Sequence, residues 1–158
     1  NYTLGYTLSL HDALPISNRE RYEGFCQALA DAGKKVDSSL CLTTPLGIDT
    51  YREEIDTFLS SLSRMPDAFV CASDYVACIL MQLLEKRGLR VPEDVAVSGF
   101  DNNTEDLLAE HLTTVQVFNE ELGARLALQI LYRIKYPNTP HEITYLGTNV
   151  LYRDSTGD

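Results

Sequence analysis

A single arginine and two clusters of polar side chains in this sequence supply residue types that bind a small polar molecule: first Arg21, second Ser73-Asp74 and third Asp101-Asn102-Asn103. A carboxylate accepts hydrogen bonds from hydroxyls or amines, and an arginine fork grips a carboxylate or sugar oxygens through paired N–H donors. The second cluster follows the apolar run 67–72 and the third follows 95–100, so each begins where a buried strand would end. In open α/β sheets ligands bind beyond the carboxyl ends of the strands, beside helix N-termini with free amides.

Each residue also has a plainer reading. Asp74 and Ser73 stand at the start of a helical pattern, where capping alone justifies a short polar side chain, and Ser73 could cap or face a ligand. Asp101 follows Gly99-Phe100 directly at a strand end, which suits a ligand contact, although aspartate is common in turns. Arg21 lies in the first turn of its helix, where a cation opposes the helix dipole, so its presence hints at use. Between Glu20 and Glu23 it could equally be a solvated surface cation.

The elements that must position these residues follow from periodicity. Apolar residues three to four apart predict helices over 19–32 (Tyr22, Phe25, Cys26, Leu29), 50–63 (Ile55, Phe58, Leu59, Leu62) and from Ser73 to Gly88. Gly33 and Gly88 are positioned to close the first and third, and Pro66 ends the second. Strands are expected at 34–42 on an edge, at 67–72, at 95–100 and at 113–117, with a short helix near 104–109 between the last two. A helix over 119–135, within residues 118–137, aligns Leu122, Leu126, Ile130 and Ile134 as a face to bury. After Pro137 and Pro140 the run 142–152 alternates like an edge strand interrupted at Gly147. Successive αβ units predict an α/β fold with a doubly wound, mostly parallel sheet.

Composition narrows the function. The 158 residues, 44% hydrophobic and 23% charged, describe a globular domain, and a formal charge of −10 argues against a nucleic-acid grip. No run of about 20 apolar residues suggests a membrane span. Cys26, Cys41, Cys71 and Cys78 form no CxxC pair and no zinc spacing, so they read as buried thiols of a cytoplasmic protein rather than as metal ligands or disulfides. No P-loop, GxGxxG or HExxH is present, and neither His111 nor His141 adjoins a nucleophile, so no catalytic residue, metal or cofactor is expected and binding is favoured over turnover. Residues 1–17 contain YTLSLHDALPIS, which resembles the conceptual translation of a sequencing-library adapter. They are expected to be non-native, with residues 18–158 the partial domain to be read for function. His11 and Asp12 then carry no role, the other reading of this stretch being a short alternating strand.

In order and spacing, the segments Arg21-Tyr22-Glu23-Gly24-Phe25, Ala68 to Asp74, Gly88 to Asp101, Leu112-Thr113-Thr114-Val115, Glu121-Leu122-Gly123 and Val150 to Thr156 resemble the LacI/GalR-type bacterial transcription regulators. The resemblance implies the C-terminal lobe, incomplete, of a periplasmic-binding-protein-like sensor of type I, whose small-molecule effector, often a sugar, alters operator affinity. Carried over by position, it implies ligand contacts from Arg21, Ser73 and Asp101, with Asp74 and Asn102 supporting. Ser73 departs from an Asn often found there. Regulators of this family are usually homodimers, and the helix face bearing Ala77, Leu80, Met81 and Leu84 is the candidate contact, ordinary sheet packing being the alternative. The helix-turn-helix, the N-terminal lobe and the first strand of the second lobe are expected to be absent before Asn18. Operator DNA would then be bound only through that absent part, and the 118–137 helix would lack the lobe it packs on, leaving an aggregation-prone piece. Two rivals share the fold: a sugar-binding protein of a transport system, which would carry an export signal, and an α/β enzyme using Asp74 or Asp101 as base.

Overall fold

The computed structural model describes residues 3–7, 16–43, 49–103 and 107–157. Its centre is a parallel sheet of four strands in the order β2-β1-β3-β4: β1 (Leu4–Thr7), β2 (Cys41–Leu42), β3 (Ala68–Cys71) and β4 (Ala96–Ser98). Single parallel bridges, Ser98 to Thr113 and Asp101 to Gln116, attach β5 (Thr114–Gln116) beyond β4. β5 in turn pairs antiparallel with β6 (Asn149–Leu151).

Side chains of β3 alternate between the two faces, as the pleat requires. Phe69 and Cys71 join a core with α2 (Tyr51–Ser61) and α3 (Asp74–Lys86), while Val70 and Ala72 pack with Phe25 and Leu29 of α1 (Ile16–Asp31). The expected α/β class and the three helices hold, and Gly33 and Gly88 follow the ends of α1 and α3 with φ of +68° and +74°, a conformation that costs glycine little.

Several expectations need correction. A strand does precede Asn18, where none was expected. β1 is an inner strand, paired with β2 through Tyr6 to Cys41 and with β3 through Leu4 to Ala68 and on to Thr7 with Cys71. His11 and Asp12 lie outside the described residues. The edge strand expected over 34–42 shrinks to β2, because Asp37 caps a 3₁₀ turn at Ser38–Leu40 by accepting from the Ser39 amide. Of the short helix expected near 104–109, residues 104–106 lie outside the described part, and a 3₁₀ helix covers Leu107–His111. The strand expected over 142–152 is confined to β6, the stretch that finds β5 as a partner.

The candidate dimer face is core instead. Ala77, Leu80 and Leu84 are fully buried beneath the chain's own elements, and half-buried Met81 packs against the same cluster, so ordinary packing occupies that face. Of the four thiols, Cys71 and Cys78 are buried as expected, but Cys26 and Cys41 are only half-buried. Both flank the Tyr22 hydroxyl, whose pKa is pushed up to about 12 by burial first and by those thiols next.

The last helix, α4 (Asn119–Lys135), forms where periodicity predicted it but buries nothing. Leu126 is 61% and Ile134 73% exposed. Among the described residues, no helix is long and apolar enough to cross a membrane.

Candidate functional site

The carboxyl ends of β3, β4 and β5 converge with the N-terminus of α3 and with Arg21, which stands in the second turn of α1 and not in the first as expected, because that helix begins at Ile16. Ser73 resolves as the cap of α3: its backbone is extended, and its hydroxyl accepts from the Val76 amide at 3.4 Å. Asp74 is therefore the first helical residue and not the cap. Its amide donates to Phe100 O, which ties α3 to the end of β4.

Asp74 is almost fully buried, at 2% exposure, and its carboxylate is the hub of a network. The Thr114 hydroxyl donates to its Oδ1 at 2.6 Å and the Asn103 amide donates to its Oδ2 at 2.7 Å. The same Thr114 hydroxyl accepts from the Asn102 amide, while the Asp101 amide donates to Val115 O. So the loop after β4 is stitched to β5 and to α3 by its own backbone. Asp101 and Asn102 adopt φ of 108° and 53°, the second within the left-handed region that asparagine tolerates. Residues held there cost on the order of 1–3 kcal/mol each and persist only where their surroundings over-determine them.

Arg21 and Asp101, 80 residues apart in sequence, meet at this edge. Arg21 Nη2 donates to Asp101 Oδ1 at 3.1 Å, Nη1 donates to Ala72 O, and the guanidinium lies 3.7 Å from the centre of the Phe100 ring. Such stacking and bonding orders an arginine before any ligand arrives. The two side chains keep 22% and 40% exposure, enough for a small molecule to reach them, in contrast to Asp74. An arginine donor and a carboxylate acceptor side by side can address one molecule that both donates and accepts, as a sugar diol does.

Beside them, on the α1 side of the sheet, opens a cavity of about 700 Å³ whose walls include Phe25, Leu29, Val70, Phe100 and Tyr152. Arg21, Glu20, Ser98 and Thr114 also line it, whereas Ser73 and Asp101 are not among its lining residues.

Burial raises the pKa of Asp74 above the ordinary value, against the hydrogen bonds from Thr114, Asn103 and the Phe100 contact. Asp101 is also raised by burial, with the Arg21 charge opposing and the Asp74 charge adding. A raised folded-state pKa favours the protonated form, so these two groups contribute stability at low pH that is lost as pH rises through their folded values. Asp94, held at about 2 by its hydrogen bonds from Arg90, and the lowered Asp37 and Asp67 act oppositely, losing their contribution as pH falls below the ordinary value of 3.8. The urea midpoint is therefore expected to rise as pH is lowered through the folded-state values of Asp74 and Asp101, which lie above 3.8, and to fall in stronger acid. In an Asp74→Asn chain that rise should shrink, and an undiminished rise would remove Asp74 as its source.

Sequence reasoning gave no role of their own to Arg153, Thr113, Thr114 and Ser155, although they lie in segments that carry the resemblance. Ser155 Oγ accepts from the Thr113 amide and donates to Val97 O, and the Arg153 guanidinium reaches Ala109 O, Leu112 O and Asn102 Oδ1. No spacing pattern singles out an arginine after a short strand; its partners exist only once β6 is folded beside β5. His111 pairs with Asp154 at 2.6 Å on the exposed side of the turn, apart from these groups.

Residues 4–156 match the family described as a periplasmic binding protein-like domain. The chain is 32% identical over 126 residues to the transcriptional regulator DegA of Bacillus subtilis, covering 77% of this chain and 37% of that one. It is 33% identical over 146 residues to the transcriptional regulator CelR of Thermobifida fusca, covering 89% and 41% respectively. It thus spans about two fifths of the length of these relatives. Among solved structures, a CelR–cellobiose complex superposes with a TM-score of 0.85 at 28% identity, over 98% of this chain and 46% of that one. A LacI-family regulator from Sanguibacter keddieii superposes with a TM-score of 0.83 at 25% identity, over 99% and 59%.

Proposed function

Since the chain belongs to the periplasmic-binding-protein-like family, in its LacI/GalR-type branch, we propose that it is the sugar-sensing part of a transcriptional regulator. The observation that carries this reading is the Arg21–Asp101 pair, half-exposed, braced on Phe100 and set at the carboxyl edge of a parallel sheet. Arg21 donates to ring or hydroxyl oxygens of the effector, Asp101 accepts from its hydroxyls, and Ser73 contributes its hydroxyl beside them. Asp74 and Asn102 support from behind. The acidic chain leaves operator DNA to another domain of the parent regulator, and the parent's homodimer contact lies on a face other than the buried one of α3. Ligand binding there changes operator affinity without any chemistry on the ligand.

Calorimetric titration of the chain with cellobiose, other disaccharides and monosaccharides tests the reading. Asp101→Asn is expected to weaken the sugar that binds by about thirtyfold, the factor for about 2 kcal/mol from a charge-assisted hydrogen bond. Unchanged affinity would remove Asp101 from the site.

A further inference from the structure

The ligand loop has a second guanidinium behind it. Arg153 follows β6, on the segment that returns to the sheet after α4, and it is half-buried. One of its terminal nitrogens, Nη1, donates at 2.9 Å to both Ala109 O and Leu112 O, two carbonyls at the carboxyl end of the 3₁₀ helix Leu107–His111. The other, Nη2, donates at 2.8 Å to Asn102 Oδ1. Its backbone is fixed as well, since its amide donates to Thr113 Oγ1 at 2.8 Å and its carbonyl accepts from that hydroxyl and from Thr156.

Three acceptors that belong to two separate segments are thus aligned by one planar fork. A planar guanidinium holds such a set in fixed relative positions, whereas an ammonium is a single point donor on a flexible stem. The residue gripped at the far end, Asn102, is the second of the two consecutive residues with positive φ. Its predecessor, Asp101, carries the carboxylate that pairs with Arg21. The ties of the Asn102 amide to Thr114, the Asn103 amide to Asp74 and the Asp101 amide to Val115 hold the loop's backbone, and Arg21 holds the Asp101 carboxylate. Arg153 is the tie to a side chain of the loop that comes from the returning segment.

We propose that Arg153 is the positioning residue of the ligand site: it holds Asn102, and through it Asp101, in the strained conformation that presents the carboxylate beside Arg21. It touches no ligand. Because it rides on the segment that follows α4, it also links whatever moves that segment to the ligand loop. The consequence for binding rests on the sugar-sensor reading above; the effect on the loop does not.

Amide hydrogen exchange of the whole 158-residue chain without ligand tests the loop directly. In Arg153→Gln, the amides of residues 101–103 are expected to exchange at least about tenfold faster, while those of Phe69 and Val97 in the sheet core stay within about twofold. Arg153→Lys is expected to behave like the glutamine variant, since charge without the fork cannot span the three acceptors; wild-type protection in the lysine variant would overturn the proposal. So would unchanged protection at 101–103, or a uniform loss across the core. Should neither Arg153 variant fold, Asn102→Gly decides: it keeps the backbone conformation accessible and deletes the gripped oxygen, and protection at 101 and 103 equal to that of Asn102→Asp, which keeps an acceptor, would overturn it. Cellobiose titration forms the second arm, with about tenfold weaker binding expected in Arg153→Gln. If the unaltered chain binds no sugar while the exchange difference stands, the sugar reading fails and the positioning role holds.

Discussion

Replacing Phe69 by alanine is expected to lower the unfolding free energy by about 4 kcal/mol, within the range for truncating a buried aromatic. Phe69 is the largest side chain with no exposure at all, and it sits on β3 in the middle of the sheet. Its ring packs edge-on against Phe58 of α2, with centres 6.4 Å apart and planes at 68°, a geometry that adds to simple burial. On the other side it lies over Gly5 of β1, its register partner, where a β-carbon would stand 2.5 Å from the ring. Alanine would leave a void between α2 and two strands that a rigid sheet cannot close. The urea midpoint at constant slope measures the loss, and for a domain whose whole stability is of order 5–15 kcal/mol the variant should be partly unfolded at moderate temperature. A loss below about 2 kcal/mol would show that the sheet relaxes onto α2.

The second large effect is expected at Gly99, where alanine should cost about 3 kcal/mol although it adds one methyl group. The added carbon would lie 2.1 Å from Asp74 Oδ1, 2.8 Å from Leu112 Cδ2 and 3.2 Å from Asp74 Cα. Leu112 could turn aside, but Asp74 cannot: it is buried, held by Thr114 and Asn103, and its Cα belongs to the first turn of α3. Displacing it leaves a carboxylate without its donors and pulls the loop after β4 from β5, so effector binding should weaken together with stability. Gly24→Ala is the control. No atom lies within 4 Å of the added carbon, the site is an exposed position in α1, and the substitution should stabilise by about 0.5–1 kcal/mol. Equal effects at the two glycines would refute the steric account.

The helices and the sheet edge that carries the candidate site were legible because they rest on local rules. Apolar spacing marked α1, α2, α3 and α4, the rule that ligands gather beyond strand ends pointed to Asp101, and a cation set against a helix dipole pointed to Arg21; the two meet in the structure. The division of labour between Ser73 and Asp74 was not legible, since adjacent short polar residues at a helix start are interchangeable as caps until the backbone chooses one. Arg153 was invisible for a related reason: its three acceptors come from Asn102, Ala109 and Leu112, none of them near it in sequence. The strand at Leu4–Thr7 was not legible because four residues of alternating character carry little information by themselves.

The sequence by itself determined the α/β class, the helix positions and the chemistry available at the strand ends, because periodicity, capping and charge act over a few residues. Only the tertiary structure decided which of those groups touch. It gave β1 its place by pairing it with two parallel neighbours. It consumed the candidate dimer face of α3 in the core and left the equally periodic stripe of α4 in water. An apolar face in a sequence states only that something must cover it; which face is covered depends on contacts between segments far apart in the chain.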